Sequence, residues 1–212
     1  MEMIKTLVDF ILHIDSYLGA IIQTYGVVTY AILFVTIFVE TGLVFVPFLP
    51  GDSLLFAAGA FAAIGSLNIW MLLLLLAAAA VIGDTANYWI GHFLGEAILA
   101  HPRLPIKSEH VEETKRFFTK HGGKTIIFAR FVPIVRTFAP FVAGIGEMKY
   151  STFISYNLLG GTAWVLAGTL AGYFFGNIPY VKSHFSVIVL GIVAVSVVPV
   201  LVPVVKAKLK KG

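Results

Sequence analysis

At 212 residues, with 58% hydrophobic and 12% charged residues and a mean hydropathy of +0.93, the chain lies far from a soluble domain's composition and reads as one polytopic membrane domain. Its net charge of +4 gathers in loops and at the C-terminal end, the pattern of membrane topology, which argues against a nucleic-acid surface. The absence of cysteine excludes disulfides, thiolate metal sites and Cys nucleophiles.

Residues 1–25 mix Ile4, Leu7, Val8, Ile11, Leu12 and Leu18 with Lys5, Asp9, His13 and Asp15, which predicts an amphipathic helix lying in the interface. Those same charges spoil the apolar core a signal peptide needs. Residues 27–65 contain two apolar runs separated by Pro47, Pro50 and Gly51. The second, from Ser53 to Ile64, is too short to cross a hydrocarbon layer of about 30 Å, so the segment is predicted as a re-entrant helical hairpin. Residues 69–93 predict a full span, with Asp84, Asn87 and Tyr88 on one face at helical spacing. Gly83 and Gly91 flank that face and permit close helix approach.

Residues 101–124 form a long polar stretch holding an amphipathic helix over 109–120. Residues 125–146 are apolar again, yet carry Arg130 and Arg136 and are broken by Pro133 and Pro140, which predicts a second re-entrant hairpin. Residues 152–175 and 185–205 predict further spans, and 206–212 a basic tail. Asn157, Gly160, Gly161, Trp164, Gly172 and Tyr173 read as helix packing. The expected architecture is an all-α integral membrane bundle of two re-entrant hairpins, about three full spans and an N-terminal interfacial helix.

The basic residues of 103–124, Lys149 and the 206–211 tail supply eleven of the 15 lysines and arginines, and the positive-inside rule places them in the cytoplasm. The C-terminus is then cytoplasmic. Hairpin two enters from the cytoplasm and hairpin one from outside, an inverted arrangement of the secondary-transporter kind. Phe38, Glu40 and Pro50 recur ninety residues later as Phe128, Arg130 and Pro140, a faint internal echo.

Ionisable groups inside hydrocarbon cost at least about 2.5 kcal/mol each and mark functional cavities or ion pairs. Glu40 needs a proton or a cationic partner and is the candidate proton carrier. Asp52, after Pro50-Gly51, is both a proton-coupling candidate and a natural helix cap, with Ser53 beside it at a helix start suited to a phosphate. Arg130 and Arg136 form a candidate phosphate clamp, or counter-ions to Glu40 and Asp52, since guanidinium forks match phosphate oxygens. Asp84, Asn87 and Tyr88 are the supporting polar face. The histidines lack zinc-site spacing, and no metal or cofactor is expected.

These motifs resemble the DedA family of bacterial inner-membrane proteins, which share the SNARE-associated or VTT domain with eukaryotic lipid scramblases. The resemblance rests on Glu40 followed by Phe48-Leu49-Pro50-Gly51-Asp52-Ser53, on Gly83-Asp84-x-x-Asn87-Tyr88-Trp89-x-Gly91, on Phe128-x-Arg130-Phe131-x-Pro133-x-x-Arg136-x-x-x-Pro140-x-x-Ala143-Gly144, and on Asn157-x-x-Gly160. It implies lipid transport, with undecaprenyl phosphate or another polyisoprenyl phosphate as the expected cargo, in support of envelope biogenesis. It also implies proton-dependent tolerance of cationic drugs and alkaline pH, with Glu40, Asp52, Arg130 and Arg136 as the residues that matter.

Residues and resemblance together predict a flippase for an anionic lipid, a polyisoprenyl phosphate or a phospholipid, driven by the proton motive force in the inner membrane. Its partners are then the lipid, protons and the bilayer, and a homo-oligomer is compatible with the sequence. The alternative is a proton-coupled exporter of small cations or drugs, with Glu40 and Asp52 as the cation site. An enzyme is not expected, because no Ser or His accompanies the buried charges as a nucleophile with its base.

Overall fold

The computed structural model describes residues 14–43, 51–100, 108–146, 148–185, 187–188 and 190–192. Among them the chain is helical throughout, without a strand: α1 Ile14–Tyr25, α2 Val28–Gly42, α3 Gly51–Ala63, α4 Ile69–Ala100, α5 Ser108–His121, a 3-10 turn Gly122–Lys124, α6 Thr125–Ala129, α7 Pro133–Ile145, α8 Tyr150–Phe175 and α9 Pro179–Ser183. The first half of the expected N-terminal helix, residues 44–50 leading to the turn expected near Pro50 and Gly51, most of the span expected over 185–205 and the basic tail lie outside the described residues.

Local chemistry explains the boundaries. Gly65 takes φ +79° between α3 and α4, a left-handed conformation open to glycine. Asn68 then accepts hydrogen bonds at its Oδ1 from the Trp70 and Met71 amides, 3.0 and 3.1 Å away, and caps α4. Val132 is extended at φ −119° and ψ 106°, as the residue before a proline prefers, and Pro133 opens α7 where a missing N–H costs nothing.

Length divides the helices into two kinds. At 1.5 Å per residue, the apolar stretch Ile69–Gly95 of α4 and the whole of α8 run to about 40 Å, enough to cross a bilayer. By the same measure α2 and α3, of 15 and 13 residues, reach only about 20 Å. α4 extends beyond the predicted 69–93 to Ala100, and α8 starts at Tyr150. Large apolar side chains face outward on both long helices, among them Trp70, Leu74, Phe93, Leu159 and Phe174, as a lipid environment allows.

α2 packs on α4, the long helix of its own half, but α3 and α7 pack mainly on the long helix of the other half. α3 lies along α8 and α7 along α4, each pair held by a reciprocal glycine contact. Gly59 abuts the Thr169 carbonyl while Gly172 abuts the Phe56 carbonyl; Gly91 abuts the Phe141 carbonyl while Gly144 abuts the Tyr88 carbonyl. In both pairs each glycine meets the carbonyl three residues before its counterpart. This shared register defines an internal repeat in which α3 corresponds to α7 and α4 to α8. It corrects the ninety-residue echo, under which Gly59 would match Lys149 and not Gly144, and Pro140 sits well inside α7 while α3 begins right after Pro50.

The two broken pairs enter the α4–α8 pair from opposite ends. At one end the Asn68 amide donates to the Tyr30 hydroxyl at 2.6 Å, and Asn177 Nδ2 donates to the Ala60 carbonyl at 2.9 Å. These bonds tie the start of α2 and the end of α3 to the start of α4 and the end of α8. At the other end the Tyr88 hydroxyl donates to the Met148 carbonyl, just beyond α7, and the Tyr88 ring stacks on Phe153 near the start of α8. The amphipathic α5 covers this second end, burying Val111 and Thr114 against α7.

Because backbone carbonyls cannot yield, Gly172→Val should lower the stability of the detergent-purified protein by about 1–3 kcal/mol through overpacking. Gly191→Ala, where a Cβ meets nothing within 4 Å among the described residues, should not lower it. Thermal unfolding of the two variants checks this.

Candidate functional site

Charge inside an apolar bundle must find a partner, and the broken helices bring those partners together. The last turn of α2 buries Glu40 at 2% exposure. The first turn of α3 carries Asp52, with Gly51 packed so closely on the Glu40 carboxylate that a side chain there would collide with it. From the other half, the break before α7 presents Arg130, and the first turn of α7 presents Arg136.

Arg136 joins the two halves. Its Nη2 donates to Glu40 Oε1 at 2.8 Å, while Nη1 donates to both Asp52 oxygens, at 3.0 and 3.2 Å. Trp164 of α8 completes this group, its indole Nε1–H donating to Asp52 Oδ1 at 2.6 Å. Arg130 sits in a separate set. Its Nη2 donates to Asp84 and, at 2.8 Å, to Asn157 Oδ1, and the Asn157 amide in turn donates to the Val81 carbonyl of α4 at 3.0 Å. Arg130 Nε and Nη1 are buried with no hydrogen-bond partner among the described residues. The Trp164 ring lies between the sets, 5.2 Å from Arg136 Cζ and 5.7 Å from Arg130 Cζ, within reach of cation–π attraction to both.

The two sets differ in access. The Arg130 and Asp84 side chains are 2% and 4% exposed, a sealed pair; Asp52 is 26% exposed and Arg136 10%, the open side of the cluster. The arginines therefore share an aromatic ring, and each holds its own carboxylates instead of converging on one point. Ser53 is fully buried on α3 beside Asp52.

The face predicted on α4 holds three broken pieces in place. Asp84 takes Arg130. Asn87 donates from Nδ2 to the Thr41 carbonyl, in the last turn of α2, and to the Thr137 carbonyl of α7, at 3.2 and 3.0 Å. The first of these carbonyls lies in the last turn of α2, where C=O groups run out of intrahelical donors, so Asn87 caps α2 from the side. Tyr88 anchors the α7–α8 turn through Met148.

Trp164 and Asn157 were read from sequence as packing residues, and the structure makes them members of the cluster. Gly161 leaves space for the Arg130 guanidinium, whose Nη2 would lie 3.1 Å from an added Cβ. The missed signal is the spacing: Asn157, Gly161 and Trp164 recur at helical intervals along one face of a long apolar helix, with a polar atom at either end.

The VTT domain family matches residues 49–174, well over half of the chain. Protein DedA of Escherichia coli strain K12 is 51% identical over 211 residues, covering 98% of this chain and 96% of that protein. The chain belongs to the DedA family. Two further relatives in the same strain are inner membrane protein YghB, 36% identical over 158 residues with 74% of this chain and 72% of that protein covered, and inner membrane protein YqjA, 35% identical over 151 residues with 71% and 69% covered. No solved structure matches. YghB and YqjA are named as inner membrane proteins, in keeping with two apolar helices here that are long enough to cross.

A sealed ion pair and an open one should respond differently to loss of a partner. Arg130→Gln leaves Asp84 buried and unpaired and should cost about 3–5 kcal/mol, with Asp84→Asn in the same chain restoring part of it. Arg136→Gln, at the open side, should cost clearly less. Denaturant unfolding of the four proteins in one detergent measures both differences.

Proposed function

We propose that this DedA-family protein carries the phosphate headgroup of an anionic lipid, a polyisoprenyl phosphate or a phospholipid, across the inner membrane, with movement coupled to protons. The observation that carries the reading is the meeting, between two oppositely directed broken helix pairs, of three carboxylates and two guanidiniums around one indole ring. In this reading α2 with α3, and α6 with α7, are re-entrant hairpins that leave polar helix ends near the bilayer midplane, the design of secondary-transporter sites.

Each group has a part. Arg136, on the open side, receives the phosphate in its planar fork. Arg130, held against Asp84 and Asn157, adds fixed positive charge, and its Nε and Nη1, without a partner among the described residues, are donors for an oxygen ligand. Glu40, Asp52 and Asp84 outnumber the two arginines by one, so a single proton makes the cluster neutral. A proton on Glu40 removes one negative charge beside Arg136 and leaves the cluster more attractive to an anionic headgroup, linking proton uptake to lipid binding. The basic end bearing α5 and Lys149 faces the cytoplasm, with the C-terminus on the same side.

Flux of a polyisoprenyl phosphate across proteoliposomes, with and without a pH gradient, is the test of function. Gradient-dependent flux that Glu40→Gln and Arg136→Ala both abolish is expected; exchange of a fluorescent cation for protons without lipid movement would instead establish a cation exporter. Topology has its own check. Cysteines placed at Ser66 and Ser183 should label from outside the cell and one at Thr119 only from inside, and labelling of all three from one side would overturn the inverted hairpins.

A further inference from the structure

Arg136 is the reachable cation of the cluster, and the Nη1–Nη2 edge of its fork is already engaged from within. Nη2 is taken by Glu40, which is buried, and Nη1 by both oxygens of Asp52, which is the more exposed partner. An incoming phosphate monoester presents the same geometry as a carboxylate, two oxygens for two N–H groups. To take that same edge of the fork it displaces one of them. Glu40 is wedged against the Gly51 backbone with its side chain 1% exposed and has nowhere to move. Asp52 has both solvent access and a second donor: Trp164 Nε1–H holds Oδ1 at 2.6 Å while Arg136 Nη1 holds the same oxygen at 3.0 Å.

We infer that Asp52 is an internal anion that occupies the phosphate position on Arg136, and that Trp164 is the perch to which it retreats when a phosphate headgroup arrives. The inference rests on the reading that Arg136 receives the phosphate. The indole serves both states. Its N–H keeps the displaced carboxylate hydrogen-bonded, and its ring face stays against the Arg136 guanidinium at 5.2 Å whichever anion the fork holds. On release, Asp52 returns to Arg136 and expels the phosphate, so the site never presents a bare guanidinium to the membrane interior. Asp52 thus governs affinity and release, a role apart from carrying a proton.

The test is equilibrium binding of dodecyl phosphate to the purified full-length protein in a nonionic detergent, with dodecyltrimethylammonium as the cationic control. Asp52→Asn removes the competing charge and should tighten dodecyl phosphate binding roughly tenfold, about 1.4 kcal/mol, while slowing its release. Trp164→Phe keeps a ring over Arg136 but removes the perch, so binding should weaken severalfold. That weakening should vanish when Asp52→Asn is also present, a coupling that a packing role for the indole would not produce. Arg136→Gln separates the two ideas. If it binds dodecyl phosphate as the parent does, or if only the cation binds, the phosphate reading itself fails. If Arg136→Gln abolishes binding while Asp52→Asn leaves it unchanged or weaker, the headgroup site stands and the internal-anion role is overturned. Where Asp52→Asn does not fold, Asp52→Ser takes its place, alone and together with Trp164→Phe, and the same outcomes decide.

Discussion

Arg136 reaching from α7 to Glu40 on α2 and Asp52 on α3 is the interaction on which the rest of this structure depends. No charge survives alone in an apolar bundle, and here the partners sit on helices that stop partway through it. Pairing them requires the two breaks to meet. Once they meet, α2 must end at Gly42, α3 must begin at Gly51, and α7 must begin at Pro133, with the long helices α4 and α8 as walls around them. The bundle is organised from its polar centre outward, opposite to a soluble domain organised around an apolar core.

The walls make this possible through backbone contact. Short helices carrying charge need an intimate fit elsewhere, since dispersion and shape complementarity replace the hydrophobic effect between helices in lipid. The crossed glycine pairs, α3 with α8 and α7 with α4, supply that fit in one register used twice. Each half lends its short helix to the long helix of the other, so the halves are interlocked and the breaks are held face to face. A repeat of this kind places two chemically opposite segments, one acidic and one basic, at equivalent positions. Symmetry brings the two segments face to face, and the difference in their residues makes their charges complementary.

Much of this was legible along the chain. The apolar lengths separated long helices from short ones, the prolines marked the breaks, and four of the five charges in the cluster stood out because they interrupt apolar runs. The fifth, Asp84, was visible as part of a polar face without its partner being evident. Trp164 and Asn157 were hidden for a physical reason: an aromatic ring and an amide on a small-residue helix are ordinary packing until something charged lies beside them. The ninety-residue echo failed past the first break, because the loops of the two halves differ in length and only the glycine contacts keep the true register.

The sequence by itself therefore determined the membrane class, the broken segments, the inventory of charges and the family, since run length, proline position and local motifs depend on neighbours along the chain. Tertiary structure alone decided that Arg130 is sealed with Asp84 while Arg136 stays open with Glu40 and Asp52, and that one indole touches both guanidiniums. Those choices depend on how each helix is rotated and how closely its partner approaches. Rotation and approach are set by contacts between residues that the chain keeps some fifty to a hundred positions apart.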